Sequence, residues 1–274
     1  MFSRLFTASL LAGGFLLALF GLTDTGWALL MLGIITLASW EWGGLAGLFS
    51  WQRWFYSGMV MATGLLLLPG APGAVINGVY HHALFWNILA AVPFWLILVP
   101  FWLLFHLRIS YKPLMVVIGG LILLAAWLSV LALRRIDPWL LLIVMAAVWI
   151  ADSAAYFAGR AFGRHKLAPE ISPGKTWEGV AGALLAVTLY GLLLSMVLHL
   201  SPWVLVGLWA LTVMSIIGDL FESLLKRQAG LKDSGNILPG HGGLLDRIDG
   251  LLPTLPLATF YVHFPLYYYA LFHE

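Results

Sequence analysis

The sequence predicts an all-α fold, a polytopic helical bundle held in a membrane by about nine transmembrane helices. Three observations predict it. Of 274 residues, 62% are hydrophobic and only 9% charged, against about 45–50% and about 25% in an average soluble domain. The mean hydropathy is +0.95. The apolar residues form continuous runs about 20 residues long rather than a period-two alternation, which favours spanning helices over a β-barrel. With 14 Lys and Arg and 12 Asp and Glu over this length, the chain cannot cover itself with a water-compatible surface. A soluble enzyme, a nucleic-acid-binding domain and a disordered tail are therefore excluded, and no nucleic-acid partner is expected. There is no Cys, so disulfides, thiolate metal sites and a Cys nucleophile are excluded as well.

The spans follow in order. Residues 5–22 and 26–43 form the first two, joined by the turn Gly21–Thr25. No small-residue cleavage site separates them, so the first is read as retained rather than as a removed leader. The third, 55–71, is short and follows Trp51-Gln-Arg53-Trp54, an interfacial anchor. A Gly/Pro-rich loop over 68–82 leads to the fourth, 83–105. The fifth to eighth cover 113–133, 137–158, 176–198 and 202–222. The ninth, 250–271, carries Pro253, Pro256 and Pro265.

Basic residues gather in the loops on the inner side of membranes. With the N-terminus inside, only Arg134 and Arg135 of the 14 Lys and Arg fall on the outer side. The polar loops 159–175 and 223–249 then both face the cytoplasm. Residues 1–136 read as a scaffold of five spans, and residues 137–274 as the functional half.

Chemistry-bearing residues concentrate between Asp152 and Asp249. Asp219, Glu222, Ser223 and Lys226 are spaced i, i+3, i+4 and i+7, one face of a helix. Asp219 directly follows an apolar run, where a carboxylate needs a cation or a donor. In Pro239-Gly-His-Gly-Gly243, glycines let backbone N–H groups converge on an anion, and His241 adds a hydrogen bond or a proton. Asp246 and Asp249 share a face if a helix begins there, and Arg247 between them suits bidentate contact with phosphate. Lys226, Arg227, Lys232 and Arg247 alternate with the carboxylates. Cations alone would suggest an anionic lipid surface, whereas this mixture suggests a divalent metal shared with a polyphosphate. Asp152 and Tyr156 lie one turn apart near the end of the sixth span. Gly174-Lys175-Thr176 is not a Walker A loop, because Pro169 stands where the first Gly is needed and no strand precedes it. Ser172 or Thr176 instead caps the seventh span, with Lys175 reaching an anion at that helix N-terminus. Glu41, between Trp40 and Trp42, reads as structural.

The run Ser223-x2-Lys226-Arg227-x4-Lys232-Asp233-x-Gly235-x2-Leu238-Pro239-x-His241-Gly242-Gly243-Leu244-x-Asp246-Arg247-Ile248-Asp249 resembles the signature of the phosphatidate cytidylyltransferases, or CDP-diacylglycerol synthases. The likeness extends to Asp152-Ser153, to Ser172–Trp177 and to Gly218-Asp219, covering roughly 150–250. It implies the reaction of CTP with phosphatidic acid to give CDP-diacylglycerol and pyrophosphate. It also implies Mg²⁺ as cofactor, with a monovalent cation such as K⁺ associated with the site. The implied setting is a homodimer among the lipids of the bacterial cytoplasmic membrane, with its site facing the cytoplasm.

On that resemblance, Asp219 and Asp246 are expected as principal metal ligands, with Asp249 and Glu222 beside them. Lys226, Arg227, Lys232 and Arg247 are expected on phosphates. The turn Gly240–Gly243, with Gly242 and His241, is expected to cradle the triphosphate. Ser172, Lys175 and Thr176 are expected in the nucleotide or lipid-phosphate pocket, with Ser223 and Asp233 in the substrate site and Asp152 completing it. A cytidylyltransferase or CTP-dependent kinase acting on another lipid, such as an isoprenoid alcohol or an ether lipid, stays open, as does a broken-helix anion transporter. A transporter needs access from both faces, whereas the polar residues here gather on one.

Overall fold

The computed structural model describes the backbone of residues 2–68, 74–201, 203–235, 237 and 242–272. Side chains are described for 12–68, 80–201, 203–235, 237 and 242–264. The helices are α1 (Phe2–Gly21), α2 (Asp24–Leu45), α3 (Ser50–Leu66), α4 (Ala74–Pro93), α5 (Val99–Phe105), α6 (Lys112–Ile136) and α7 (Pro138–Phe162). A small ribbon, β1 (Lys166–Ala168) and β2 (Ser172–Thr176), precedes α8 (Trp177–Leu198) and α9 (Trp203–Gln228). One short turn, α10 (Leu245–Ile248), then leads into α11 (Leu251–Phe272).

Each predicted span coincides with a helical stretch, and the differences have physical causes. The fourth span begins earlier, at Ala74, because the helix runs through the single Gly78 that reads as loop in the sequence. It is interrupted by a π-helical turn, Phe94–Leu98, between Pro93 and Pro100, since each proline removes a backbone donor from the ladder. Pro253 sits in the first turn of α11, where a missing donor costs little, and the helix continues through Pro256 although that residue cannot donate to the Leu252 carbonyl. The antiparallel ribbon β1–β2, with Lys166 opposite Thr176, is an addition to the expected all-helical fold. Among the described residues six stretches are long and apolar enough to cross a membrane: α2, Tyr80–Phe105, α6, α7, α8 and α9. The expected nine spans are therefore not all established. Among the described residues α3 has 17 residues, the apolar part of α1 is Ala12–Gly21, and the described side chains of α11 end at Phe264.

Helix α11 packs against α4, α6, α7 and α9, and α7 lies along α8. Phe221 of α9 is fully buried, with ring contacts to Trp42, Phe94, Trp95 and Trp102. This aromatic box fixes the rotation of α9 about its axis, which aims Asp219 and Glu222. At the opposite end of the bundle Arg134 is buried. Its Nη1 donates to Asp24 Oδ1 at 2.8 Å, its Nε to the Leu19 carbonyl at 2.9 Å, and its guanidinium lies over Trp27. One of the two basic residues predicted on the outer side is thus bound into the α1–α2 turn.

Candidate active site

The polar ends of α7, α9 and α11 and the start of α8 meet around one cavity of about 520 Å³. Asp152, Asp219, Asp246 and Asp249 line it, together with Lys175 and Lys226. Ser172 and Thr176 complete the predicted residues on its wall. Residues separated by nearly 100 positions are thereby gathered at one end of the bundle.

Each is placed by a local device. Thr176 caps α8 by accepting the Gly179 amide at 3.1 Å, the role foreseen for Ser172 or Thr176. Ser172 instead begins β2. The cap directs Lys175 across the cavity to α9, where its Nζ lies 2.6 Å from Asp219 Oδ2. Ser223 Oγ lies 3.4 Å from the other Asp219 oxygen. Asp152 accepts from Ser215 Oγ at 3.2 Å, tying α7 to α9. Gly218 permits the close approach of α9 to the start of α11. A Cβ there would clash with the Asp249 carbonyl oxygen and lie 2.8 Å from Pro253 Cγ.

Lys226 is the pivot. Its Nζ lies 2.6 Å from both Glu222 Oε2 and Asp246 Oδ1. Asp246 also accepts the backbone amides of Ser234 at 3.0 Å and Gly243 at 2.8 Å. Burial opposes ionisation of Asp246, but Lys226 and the Gly243 amide outweigh it and hold this carboxyl below the usual aspartate range. Asp249 behaves oppositely. Burial, then the carboxylates of Asp219 and Glu222, push it well above that range, against the Gly250 amide and Lys175.

The donor set is oxygen-rich and more acidic than its two lysines balance. Glu222 Oε1 is buried without a hydrogen-bond partner. Among the described residues no three acidic or imidazole groups form a ready-made metal cage. The acidic lining and the unpartnered Glu222 oxygen fit a hard divalent ion such as Mg²⁺, which commonly takes one or two carboxylates and completes its shell with water and substrate phosphate.

Not every expected site residue reaches the cavity. Arg227 points its Nε to the Ile171 carbonyl at 3.5 Å. Lys232, Asp233 and Arg247 are exposed outside its lining, and Glu222 and Ser223 are buried behind it. Gly240 and His241 lie outside the described residues, and Gly242 and Gly243 are outside the cavity's lining. Gly242 has φ +80°, a conformation that favours glycine.

Three contributors escaped the sequence reading. Arg160 lines the cavity one turn from Tyr156 and donates to its hydroxyl at 3.2 Å. Ser215 had no motif to mark it. Glu41 is fully buried and accepts from Ser234 Oγ and from the amides of Leu244 and Leu245. An acidic residue inside an apolar run was the one available sign.

The geometry can be set beside known proteins. The pattern of the Cytidylyltransferase family matches residues 2–265. The chain is 38% identical over 257 residues to a phosphatidate cytidylyltransferase of Pseudomonas aeruginosa, covering 89% of each chain. It is 36% identical to one of Haemophilus influenzae, covering 96% of this chain and 99% of the other. A third similar protein bearing that name, from Thermotoga maritima, is 46% identical over 125 residues, 43% of this chain and 46% of its own. With a family match along nearly its whole length and two relatives matched almost end to end, the chain belongs to the cytidylyltransferase family and is a nucleotidyltransferase.

Proposed function

We propose that the protein transfers the cytidylyl group of CTP to phosphatidate, giving CDP-diacylglycerol and pyrophosphate. The observation that carries this reading is the cavity itself. Asp152, Asp219, Asp246 and Asp249 face Lys175 and Lys226 at one polar end of a bundle of apolar helices. A lipid held in the bilayer and a soluble triphosphate can both reach such a place. The names of the relatives from Pseudomonas and Haemophilus point to the same substrate.

In this reading a phosphatidate oxygen forms a new bond to the α-phosphorus of CTP, and the bond from that phosphorus to the bridging α–β oxygen breaks in line. The phosphate monoester is largely ionised near neutral pH, so no strong general base is required. Both reactants are anionic, and the main task is to screen their repulsion. Lys175 and Lys226 supply fixed positive charge in the cavity. Asp219 and Asp246, with Asp249 and Glu222 beside them, would hold Mg²⁺. When bound, that ion supplies charge neutralisation at the phosphates and on departing pyrophosphate. A K⁺ ion near the same carboxylates, a homodimeric assembly and an inner-membrane setting with the cavity toward the cytoplasm belong to this proposal, on the strength of the signature and the distribution of basic residues.

The test uses the full chain in liposomes with Mg²⁺ and CTP and follows pyrophosphate release. Phosphatidate should support turnover, and an equal amount of a polyprenyl phosphate should not. Turnover with polyprenyl phosphate alone would move the protein to another lipid substrate.

A further inference from the structure

Glu41 stands at the cytoplasmic-loop end of α2, in the half of the chain that carries none of the signature, yet its carboxylate is fully buried. Its Oε1 accepts the Leu244 amide at 3.0 Å. Its Oε2 accepts the Leu245 amide at 2.7 Å and Ser234 Oγ at 3.1 Å. All three donors belong to the two described ends of the segment that presents Asp246. Gly235 and Gly243 flank the same carboxylate. A Cβ on Gly243 would lie 2.8 Å from Oε2, and one on Gly235 would clash with Oε1.

Asp246 bridges the same two chain ends from the cavity side, accepting the amides of Ser234 and Gly243. The segment is therefore clamped twice, by Glu41 from behind and by Asp246 in front. The mount beneath Glu41 is firm. Trp42 Nε1 donates to the Met115 carbonyl at 2.7 Å, and Arg53 Nε donates to the Trp40 carbonyl at 2.9 Å. A buried carboxylate is costly unless its oxygens are well satisfied. Three converging donors on a single side chain meet that need and make the arrangement specific.

We infer that Glu41 is a positioning residue of the reaction, a carboxylate from the scaffold half that sets where Asp246 stands relative to Lys226 and the cavity. This inference rests on the proposed reading of Asp246 as a metal and nucleotide residue. Glu41 touches no substrate and acts through Ser234, Leu244 and Leu245.

The conservative variant Glu41→Gln keeps the volume but replaces one accepting oxygen with an NH₂ that faces donors. The full chain in liposomes should then need about tenfold more Mg²⁺ for half-maximal pyrophosphate release, and should lose about 10–100-fold in kcat/KM for CTP, the range seen when a partner behind a metal ligand is removed. The KM for the lipid substrate should not change. A role in folding alone would lower the yield of active protein and leave the Mg²⁺ requirement of the surviving fraction untouched, which would overturn the inference. Ser234→Ala removes one of the three bonds and decides the matter if Glu41→Gln does not fold. A smaller rise in the Mg²⁺ requirement supports the inference and an unchanged one overturns it. Binding of Mn²⁺ with CTP, read by electron paramagnetic resonance without lipid, separates the two levels. Weaker binding in Glu41→Gln supports the clamp whichever lipid the wild type accepts, and unaltered binding removes it.

Discussion

At the scale of single residues the site depends on Lys226. Its side chain is 12% exposed and is shared by Glu222, 3% exposed, and Asp246, 14% exposed. Removing it leaves two carboxylates facing each other without their cation. Lys226→Met should cost about 3–5 kcal/mol, the usual penalty for breaking a buried ion pair from one side. Lys226→Met combined with Glu222→Gln should recover part of that loss, because the two residues are in contact and their effects are not additive. Thermal unfolding in detergent checks both. Asp219 is different, since its main partner, Lys175, is replaceable by water. Asp219→Asn should leave the unfolding temperature nearly unchanged and lower pyrophosphate release by about 100-fold or more, the scale of losing a charge placed for the transition state. Asp219, Lys226 and Asp246 could be read from spacing because their signals are local: an i, i+7 helix face and a compact motif. Glu41 could not, because the Leu244 amide it holds is 203 positions away and nothing near Trp40 and Trp42 reports that partner.

At the scale of elements, small residues set the distances. Helices α7 and α8 approach closely through Gly159, Gly179 and Gly182. A Cβ on Gly179 would lie 2.9 Å from the Ala155 carbonyl oxygen, and one on Gly182 would clash with Ala158. Close backbone approach through small residues is a common way for helices to associate in membranes. Here it sets the start of α8, with Thr176, against the end of α7 that carries Asp152 and Arg160. Gly218 does the same for α9 and the start of α11, where Asp249 begins its contact with the cavity. Gly218→Val changes no charge and removes no ligand, yet it should abolish turnover by forcing α9 away from Asp249, with the protein still inserting into the membrane. Normal activity of this variant would show that the α9–α11 spacing does not matter. The helices themselves were visible in the sequence, since apolar length dictates them. The ribbon β1–β2 was not. Its strands have three and five residues, too short for a period-two signal, and Pro173 and Gly174 read as loop. The ribbon nevertheless delivers Lys175 and Thr176 to the wall of the cavity.

At the scale of the whole molecule the charges divide by end. The carboxylates and lysines of the cavity lie at one end, with Glu41 behind them, while Arg134 and Asp24 lie at the other. The chain has no Cys, so single cysteines report sidedness cleanly. A cysteine introduced by Lys166→Cys on the exposed ribbon should react with a membrane-impermeant maleimide only in inverted vesicles. One introduced by Arg135→Cys should react from the outside of intact cells. The reverse pattern would turn the cavity away from the cytoplasmic pool of nucleotide. The bias of basic residues supplies the expected orientation that these cysteines test, whereas the packing of α11 against both halves of the chain was not legible, because hydropathy says where a helix spans and not which neighbours it meets.

Asp219 on α9 and Asp246 on α10 are proposed to hold a divalent ion jointly with CTP. Mn²⁺ binding in the presence of CTP, followed by electron paramagnetic resonance on the full chain and on Asp219→Asn and Asp246→Asn, tests it most directly. Tight binding to the wild type and at least tenfold weaker binding to each variant is the expected result, the scale of losing one carboxylate from a site that has only one or two. Equal binding by all three proteins would show that the ion is held elsewhere.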